Sequence, residues 1–404
     1  MKSVQDKIIN SVGWLMLLFC MFPYIGLPIL ETNTQPNALF FAIIYFLLTP
    51  PQKYPFLIKY LIFILIFVTL ILIFSDFSIL EIKDWGNYLS LCVITISSYQ
   101  FLLYQKGDFY YLFFFSVLLW GITGGIQTYI NPNFLSFLVP IWANGADGYR
   151  GVPSLASEPT YYGLICLSML IIYLINTWYN RSKLLGIIIF IQLVVFSKSS
   201  TSFAVLGLGL VILFIFNAIK LNIKVITVII LLFFLGLIFI SFFEDIIYTT
   251  RAYSLYKLTT QQPELIFIND YPINERVNHV LFPALGMYEN YLIPKGFGHF
   301  GEYLLEKSEE EYWAAFFTNP VFRVDGKIRI MSGFGKGFFE LGFLGLLIPV
   351  FIYLGIKPKL RKQNIIFFSI TLFLLVTLMA FPFMTSIIPF IIGNLLFVNK
   401  FNEN

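Results

Sequence analysis

Charge is scarce in this 404-residue chain. Asp, Glu, Lys and Arg make up 12% of it, against about 25% in soluble globular proteins, and hydrophobic residues make up 58%, against about 45 to 50%. That imbalance excludes a water-soluble fold. Histidine is nearly absent, with two residues, and cysteine numbers three, so no Cys/His metal site can be assembled. Cys20, Cys92 and Cys166 all fall inside apolar runs, where a thiol reads as a small packing residue and not as a disulfide partner. An excess of one sign is also missing. The 26 basic and 22 acidic residues leave +4, too balanced to imply a nucleic-acid partner. Alternation of apolar and polar residues is lacking in stretches such as Leu61 to Phe74, which excludes a transmembrane barrel. There is no internal repeat and no low-complexity tract.

What the chain does have is long apolar runs. They predict an all-α polytopic membrane protein with about twelve transmembrane helices, near 9 to 29, 37 to 50, 55 to 74, 85 to 104, 109 to 130, 160 to 179, 184 to 200, 202 to 219, 225 to 243, 333 to 356, 364 to 381 and 386 to 398. Lys2 and Lys7 precede the first run, which carries no small-residue cleavage site and reads as a retained signal anchor.

Loop charge then sets the orientation. With a cytoplasmic amino terminus, the inner segments carry Lys2, Lys7, Lys53, Lys59, Lys106, Arg181, Lys183, Lys220, Lys224, Lys357, Lys359, Arg361, Lys362 and Lys400 against only Asp6, Asp108 and Glu403. The short outer loops before residue 244 carry Lys83, Arg150 and Lys198 against Glu31, Asp76, Glu81, Asp84, Asp147 and Glu158. Positive residues therefore gather on one side at every alternate loop, which places both termini in the cytoplasm.

Three parts follow: 1–243 with nine helices, 244–332 as a large extracytoplasmic loop between helices nine and ten, and 333–404 with three helices and a cytoplasmic tail. The outer segments 131–159 and 244–332 are too long for simple connections, and long loops on a rigid scaffold tend to carry function. The larger reads as a small folded cap, with helical stretches such as Val277 to Leu285.

Four constellations could carry chemistry. The run from Tyr149 to Thr160 leads into the sixth span. Ser157 before Glu158 and Pro159 reads as a capped helix start whose free N–H groups face outward beside Arg150, a disposition suited to anions. A capped helix with a solvated arginine explains the same residues equally well. Between spans seven and eight lies Ser197-Lys198-Ser199-Ser200-Thr201-Ser202. Leu184 to Phe196 is too short to cross a core about 30 Å thick, so Lys198 is expected partly within the outer leaflet, facing a cavity or snorkelling out. In the large loop stand Glu275-Arg276, His279 and Pro294-Lys295-Gly296-Phe297-Gly298-His299, with Arg251, Arg323, Lys327 and Arg329 as further basic candidates. Glycines two apart permit a tight turn or close ligand approach, and the two histidines are either bases or structural residues. Finally Lys336 and Glu340, four apart on span ten, read first as an internal helix pair.

In order and spacing, these stretches resemble the Wzy-type polymerases of O-antigen, capsule and exopolysaccharide repeat units, relatives of the O-antigen ligases. The resemblance rests on Arg150 to Gly163, the Ser/Thr cluster at 197–202, Arg276 through Gly296-Phe297-Gly298, and Ser332-Gly333-Phe334 to Gly345. Met331 stands where the ligases usually carry a histidine, which favours the polymerase branch. Arg150 is followed by Gly163 and Arg276 by Gly286, so the eleven-residue arginine–glycine spacing of some polymerases is not reproduced.

The resemblance implies a GT-C-like membrane protein of the bacterial cytoplasmic membrane that performs inverting glycosyl transfer on its outer face. Donor and acceptor would be undecaprenyl-diphosphate-linked glycans, and the partners would be the lipid bilayer and, by family habit, a chain-length regulator and a repeat-unit flippase. Arg276, Glu158 and His279 are the expected catalytic residues. Arg150, Lys198, Ser199, Thr201, Arg251 and Arg329 are the expected pyrophosphate-binding ones. Cations in a partly dehydrated cavity can neutralise a leaving diphosphate, so no metal and no cofactor is required. A ligase, or a flippase for the same lipid-linked sugars, is the competing reading.

Overall fold

The computed structural model describes residues 4–26, 34–50, 52–141, 151–217, 268, 271–317, 328–355 and 363–401. All regular structure among them is helical. Five helices come before the first long loop: α1 (Val4–Met21), α2 (Asn37–Leu48), α3 (Phe56–Ile73), α4 (Ile79–Tyr104) and α5 (Tyr110–Tyr129). Three follow it: α6 (Pro159–Ile175), α7 (Lys183–Ile191) and α8 (Ser200–Asn217). The large loop contributes α9 (Tyr271–Glu289) and α10 (Phe300–Glu309), and the rest of the chain α11 (Gly333–Leu341), α12 (Phe343–Gly355), α13 (Gln363–Met379) and α14 (Ile387–Phe401). Helices stand where eleven of the expected spans were placed; the ninth, 225 to 243, lies outside the described residues.

Two helices, Phe56–Ile73 and Tyr110–Tyr129, are long and apolar enough to cross a membrane, and seven more are apolar but shorter. α3 buries Leu57, Leu61, Ile64 and Val68 and turns Phe63, Ile66 and Leu70 outward. An ordinary surface helix puts polar residues on its outer face; beyond Lys59 in its first turn, this one turns apolar residues outward.

α4 and α6 are the axes of the bundle. α4 packs against α2, α3 and α14, and α6 against α8, α13 and α14. Small residues let α4 and α14 approach closely: a Cβ on Gly393 would stand 2.9 Å from Ser98 Cβ. Hydroxyls on α4 find partners on neighbouring elements, Ser97 Oγ donating to the Ala42 carbonyl at 2.8 Å and Thr95 Oγ1 to that of Pro389 at 3.2 Å. The helix starts with a capping box, in which Ser78 Oγ accepts from Glu81 N and Glu81 Oε2 accepts from Ser78 N at 2.7 Å.

Two expectations about helix ends are corrected. α6 begins with Glu158, not Ser157, at its N-cap and Pro159 at its first position, and no side chain caps it. The proline needs no N–H there, which is why the start tolerates that arrangement. The expected span 333 to 356 is two helices, broken at Gly342, whose φ of +56° only glycine adopts without strain. Residues 292–293 press against Gly342, and Phe343 N donates to the Leu292 carbonyl at 2.8 Å. α11 and α12 then cross with Gly345 directly over the Gly337 backbone.

The described part of the large loop has a small apolar cluster of its own, Phe282, Phe300, Tyr303, Leu304, Phe317 and Ile330, which closes on Phe339 of α11. α11 is thus clasped between this loop and the bundle.

Candidate functional site

The site grows from the segment that leads into α6. Val152 N donates to the Phe196 carbonyl at 2.9 Å, and Gly151 sits against Ser197 so closely that no Cβ fits. Ser154, at φ +55°, donates its N–H to Gln127 Oε1 at 2.7 Å and its hydroxyl to the Trp120 carbonyl at 2.8 Å. So pinned, the segment delivers Glu158 to Arg276 on α9, with Nη2 and Oε1 3.5 Å apart.

Arg276 is buried, whereas the Glu158 side chain is 36% exposed. The guanidinium also lies 3.3 Å from the Met331 sulfur through Nη1 and 5.6 Å from the centre of the Tyr161 ring. Sulfur is a weak acceptor, and Nε, although buried, has no hydrogen bond among the described residues. Two more buried donors nearby share that condition, Ser157 Oγ and Tyr24 Oη. The Tyr24 ring stands 5.7 Å from that of Tyr161 and is close enough to Glu158 and Arg276 to feel their charges. Each such donor costs about 1 to 3 kcal/mol, so their concentration around one ion pair marks a place shaped for something other than stability.

Electrostatics divides the roles. Burial disfavours the charge on Arg276, but Tyr161, Glu275 and Glu158 together outweigh it and hold the guanidinium more firmly protonated than usual. Burial pushes the Glu275 carboxyl up, with Arg276 opposing. Burial, and then the charge of Arg276, press His279 down to about 3. A general base must take up a proton, and both effects oppose that at His279. The setting of His279 therefore disfavours the expected base role, while Glu158 is the more exposed of the two. His279 instead packs by its backbone: a Cβ on Gly335 of α11 would stand 2.5 Å from the His279 carbonyl oxygen.

On the other flank of α11 lies a second set of charges. The expected Lys336–Glu340 pair is present at 3.0 Å, and Lys336 also binds Asp84 of α4. Arg329 reaches the same Asp84 Oδ1 with Nε at 3.2 Å and Nη2 at 2.8 Å. Tyr88 donates to Glu340 Oε2 at 2.8 Å. Two cations meet two carboxylates, so the group closes on itself. Arg329, expected to bind pyrophosphate, spends its charge on Asp84.

The Ser/Thr cluster divides as well. Ser199 is buried and its Oγ accepts from Ser202 N at 3.2 Å and Ser202 Oγ at 3.0 Å, which anchors the first turn of α8. Gly163 of α6 packs into this turn, where a Cβ would stand 2.6 Å from Ser199 Cβ. Ser199 is thus a structural cap, and Thr201 is half-buried beside it. Lys198 takes the left-handed conformation, φ +45°, and is exposed, so it does not line an enclosed cavity. Gly163, five helical residues beyond Glu158, packs on Ser199, which keeps the lysine's turn within roughly 15 Å of the Glu158 backbone. Arg150 and Arg251 lie outside the described residues.

Tyr24, Tyr161 and Asp84 were not singled out as site residues in the sequence. Their partners lie more than a hundred positions away, and nothing local distinguishes them. No protein-family model matches this chain, and no curated protein matches it.

Proposed function

We propose that the chain is a multi-pass glycosyltransferase of the bacterial cytoplasmic membrane, resembling the Wzy-type polymerases, that joins undecaprenyl-diphosphate-linked repeat units on the outer face. The observation that carries this reading is the Glu158–Arg276 pair at the start of α6, a partly exposed carboxylate held by a buried cation, with buried donors beside it. The two helices long and apolar enough to cross a membrane, the alternation of basic loops expected from the sequence and the outward apolar residues of α3 support the membrane setting.

The acceptor sugar hydroxyl is polarised by Glu158, attacks the anomeric carbon of the donor glycan and gives its proton to that carboxylate. The bond from the anomeric carbon to the diphosphate breaks, and the electron pair leaves with undecaprenyl diphosphate. Arg276 orients Glu158. Because Glu158 already neutralises it, Arg276 alone is a poor match for a diphosphate. Lys198, exposed at the turn before α8, takes a share of that task, with Arg150 and Arg251 as further candidates.

A flippase reading draws on one specific observation, the buried charged group Asp84–Lys336–Glu340 between the first turns of α4 and helix α11. One experiment separates the two. Purified full-length protein in lipid nanodiscs, given lipid-linked repeat units, is expected to make a ladder of longer glycans without any other acceptor. If it makes none, yet moves the same lipids across vesicle membranes, the flippase reading replaces this one.

A further inference from the structure

The chain leaves α9 through a turn whose outer surface is apolar. Tyr288, Tyr291, Leu292 and Ile293 are all exposed there, Tyr291 to 87%. The charges beside them are already matched: Lys307 pairs with Glu289 at 2.7 Å and with Glu310 at 2.6 Å, and Tyr303 Oη donates to Glu289 Oε2 at 2.8 Å. Apolar side chains alone do not name a partner. The depth of the turn and the bonding of its backbone do.

Depth follows from α11. Lys336 binds Asp84, and Glu340, four residues on, accepts from Tyr88, four residues further along α4, so the two helices run in the same direction. α11 therefore descends beside α4 from the side of the large loop and ends at Gly342, where Phe343 N donates to the Leu292 carbonyl. From Ile79 at the start of α4 to Tyr88 is about 14 Å of helix. Just past the corner, the Leu344 carbonyl accepts from Tyr60 Oη on α3, a helix long and apolar enough to cross a membrane. Tyr60 lies about 20 Å along that helix from its end at Ile73, which adjoins the start of α4. A bilayer crossed by α3 thus reaches the corner and the turn fastened to it.

Backbone bonding is the second observation. Every N–H from residue 290 to 295 is bonded within the protein: those of Asn290, Tyr291, Leu292 and Ile293 to carbonyls of the same turn, that of Lys295 to the Phe339 carbonyl, and position 294 is proline. Asn290 Nδ2 donates to the Ile293 carbonyl at 2.9 Å. A turn in water needs no such completeness, because water serves whatever N–H it leaves free; in lipid each unbonded group is costly. Tyr291 and Leu292 take left-handed φ of +54° and +64°, strain for side-chain-bearing residues that this bonding holds in place.

We propose that the turn between α9 and α10 is a membrane anchor, its Tyr288, Tyr291, Leu292 and Ile293 seated among the lipids of the leaflet on the large-loop side. Tyrosine suits that boundary, with an apolar ring and a polar hydroxyl. The anchor rests on the membrane setting of the proposed function and not on its chemistry. Arg276 lies about 20 Å back along α9 from Glu289, so a turn held by lipid fixes the height of the Glu158–Arg276 pair over the bilayer.

Spin labels on the full chain in lipid nanodiscs test it. The native thiols of Cys20, Cys92 and Cys166 are buried, so a label added to the folded protein goes to an introduced one. Ile293→Cys is the probe. Ile66→Cys, on the outward face of α3, marks lipid, and Tyr312→Cys, exposed beside Glu309, Glu310 and Glu311, marks water. Power saturation compares collisions with oxygen, which concentrates in lipid, against those with a water-soluble nickel chelate. At Ile293 the oxygen effect is expected to exceed the nickel effect several-fold, as at Ile66, with the order reversed at Tyr312. The proposal is overturned if nickel equals or exceeds oxygen at Ile293 while Ile66 reads as lipid, or if both are low there, as under a protein partner. Should Ile66 itself read as water, the membrane setting falls and takes the anchor with it. Tyr288→Cys answers the same question if the Ile293 variant does not insert.

Discussion

Arg276 and Arg329 each form an ion pair with one carboxylate, and the two pairs are built the opposite way round. At Arg276 the cation is buried and its partner Glu158 reaches outward; at Arg329 the carboxylate Asp84 is buried and the cation reaches outward. The first arrangement presents an acceptor to whatever arrives, and the second a donor. The pairs also differ in bonding. Arg329 holds Asp84 with two nitrogens and shares it with Lys336, whereas Arg276 meets Glu158 at 3.5 Å through one nitrogen, with the Met331 sulfur, Tyr161 and Glu275 as its other neighbours. A closed, charge-balanced network serves stability and placement. A loosely bonded pair among unbonded donors is the arrangement expected where chemistry is done.

The sharpest way to break this contrast is to remove the outward carboxylate. Glu158→Gln is expected to lower chain extension about 10²- to 10⁴-fold and to cost under about 1 kcal/mol of stability, since the group is one-third exposed and screened. Arg276→Ala should abolish extension to a similar degree while the protein stays inserted and abundant. Ladders of normal length in both would remove the pair from the mechanism.

The inward carboxylate should behave the other way. Asp84→Ala strands Lys336 and Arg329, and its expected cost is about 3 to 5 kcal/mol, read as a lowered melting temperature in detergent. A variant as stable as the wild type would mean the network is not the fastening described here.

Acid provides a third test. His279 titrates near 3 when folded and near 6.5 when unfolded, so below about 6.5 the unfolded chain takes up a proton that the folded one refuses. Stability should fall as pH drops from 6.5 toward 3, and His279→Gln should flatten that fall. Glu275, raised by burial, works in the opposite sense in its own range, so the comparison of slopes between the two proteins is the measurement. Equal slopes would place the acid sensitivity elsewhere.

The smallest expected effect is the most diagnostic. Tyr24→Phe removes a buried hydroxyl that has no hydrogen bond among the described residues. If that hydroxyl were idle, its loss would leave activity unchanged and raise the melting point slightly. Service to a bound sugar predicts the same thermal gain together with a several-fold rise in KM for the acceptor.

What the sequence reveals here follows the range over which each interaction acts. Helices were legible because apolar runs and turn residues are local, and the Lys336–Glu340 contact because four residues make one helical turn. Arg276 and Glu158 were legible only as separate candidates, since no local rule joins residues 118 positions apart. Asp84 looked like one more outer-loop acid, and its two cations arrive from 245 and 252 positions away. Ser157 misled because it has the composition of a cap without the geometry, and span ten because its apolar run hides a glycine that the folded chain uses as a corner.

That corner gives α11 a particular mechanical character. Ser332 bonds to Gly335 N at its first turn, Met331 just before it touches Arg276, and Lys336 and Glu340 follow at one-turn intervals on the side that meets α4. A rod only nine residues long, gripped at both ends, has no slack in which to absorb a change of phase. One residue added between Ser332 and Lys336 would swing the two charged groups through about 100°, away from Asp84, while the methionine stayed put. The whole arrangement is keyed like a cam on its shaft, so insertions in this stretch should be far less tolerated than substitutions.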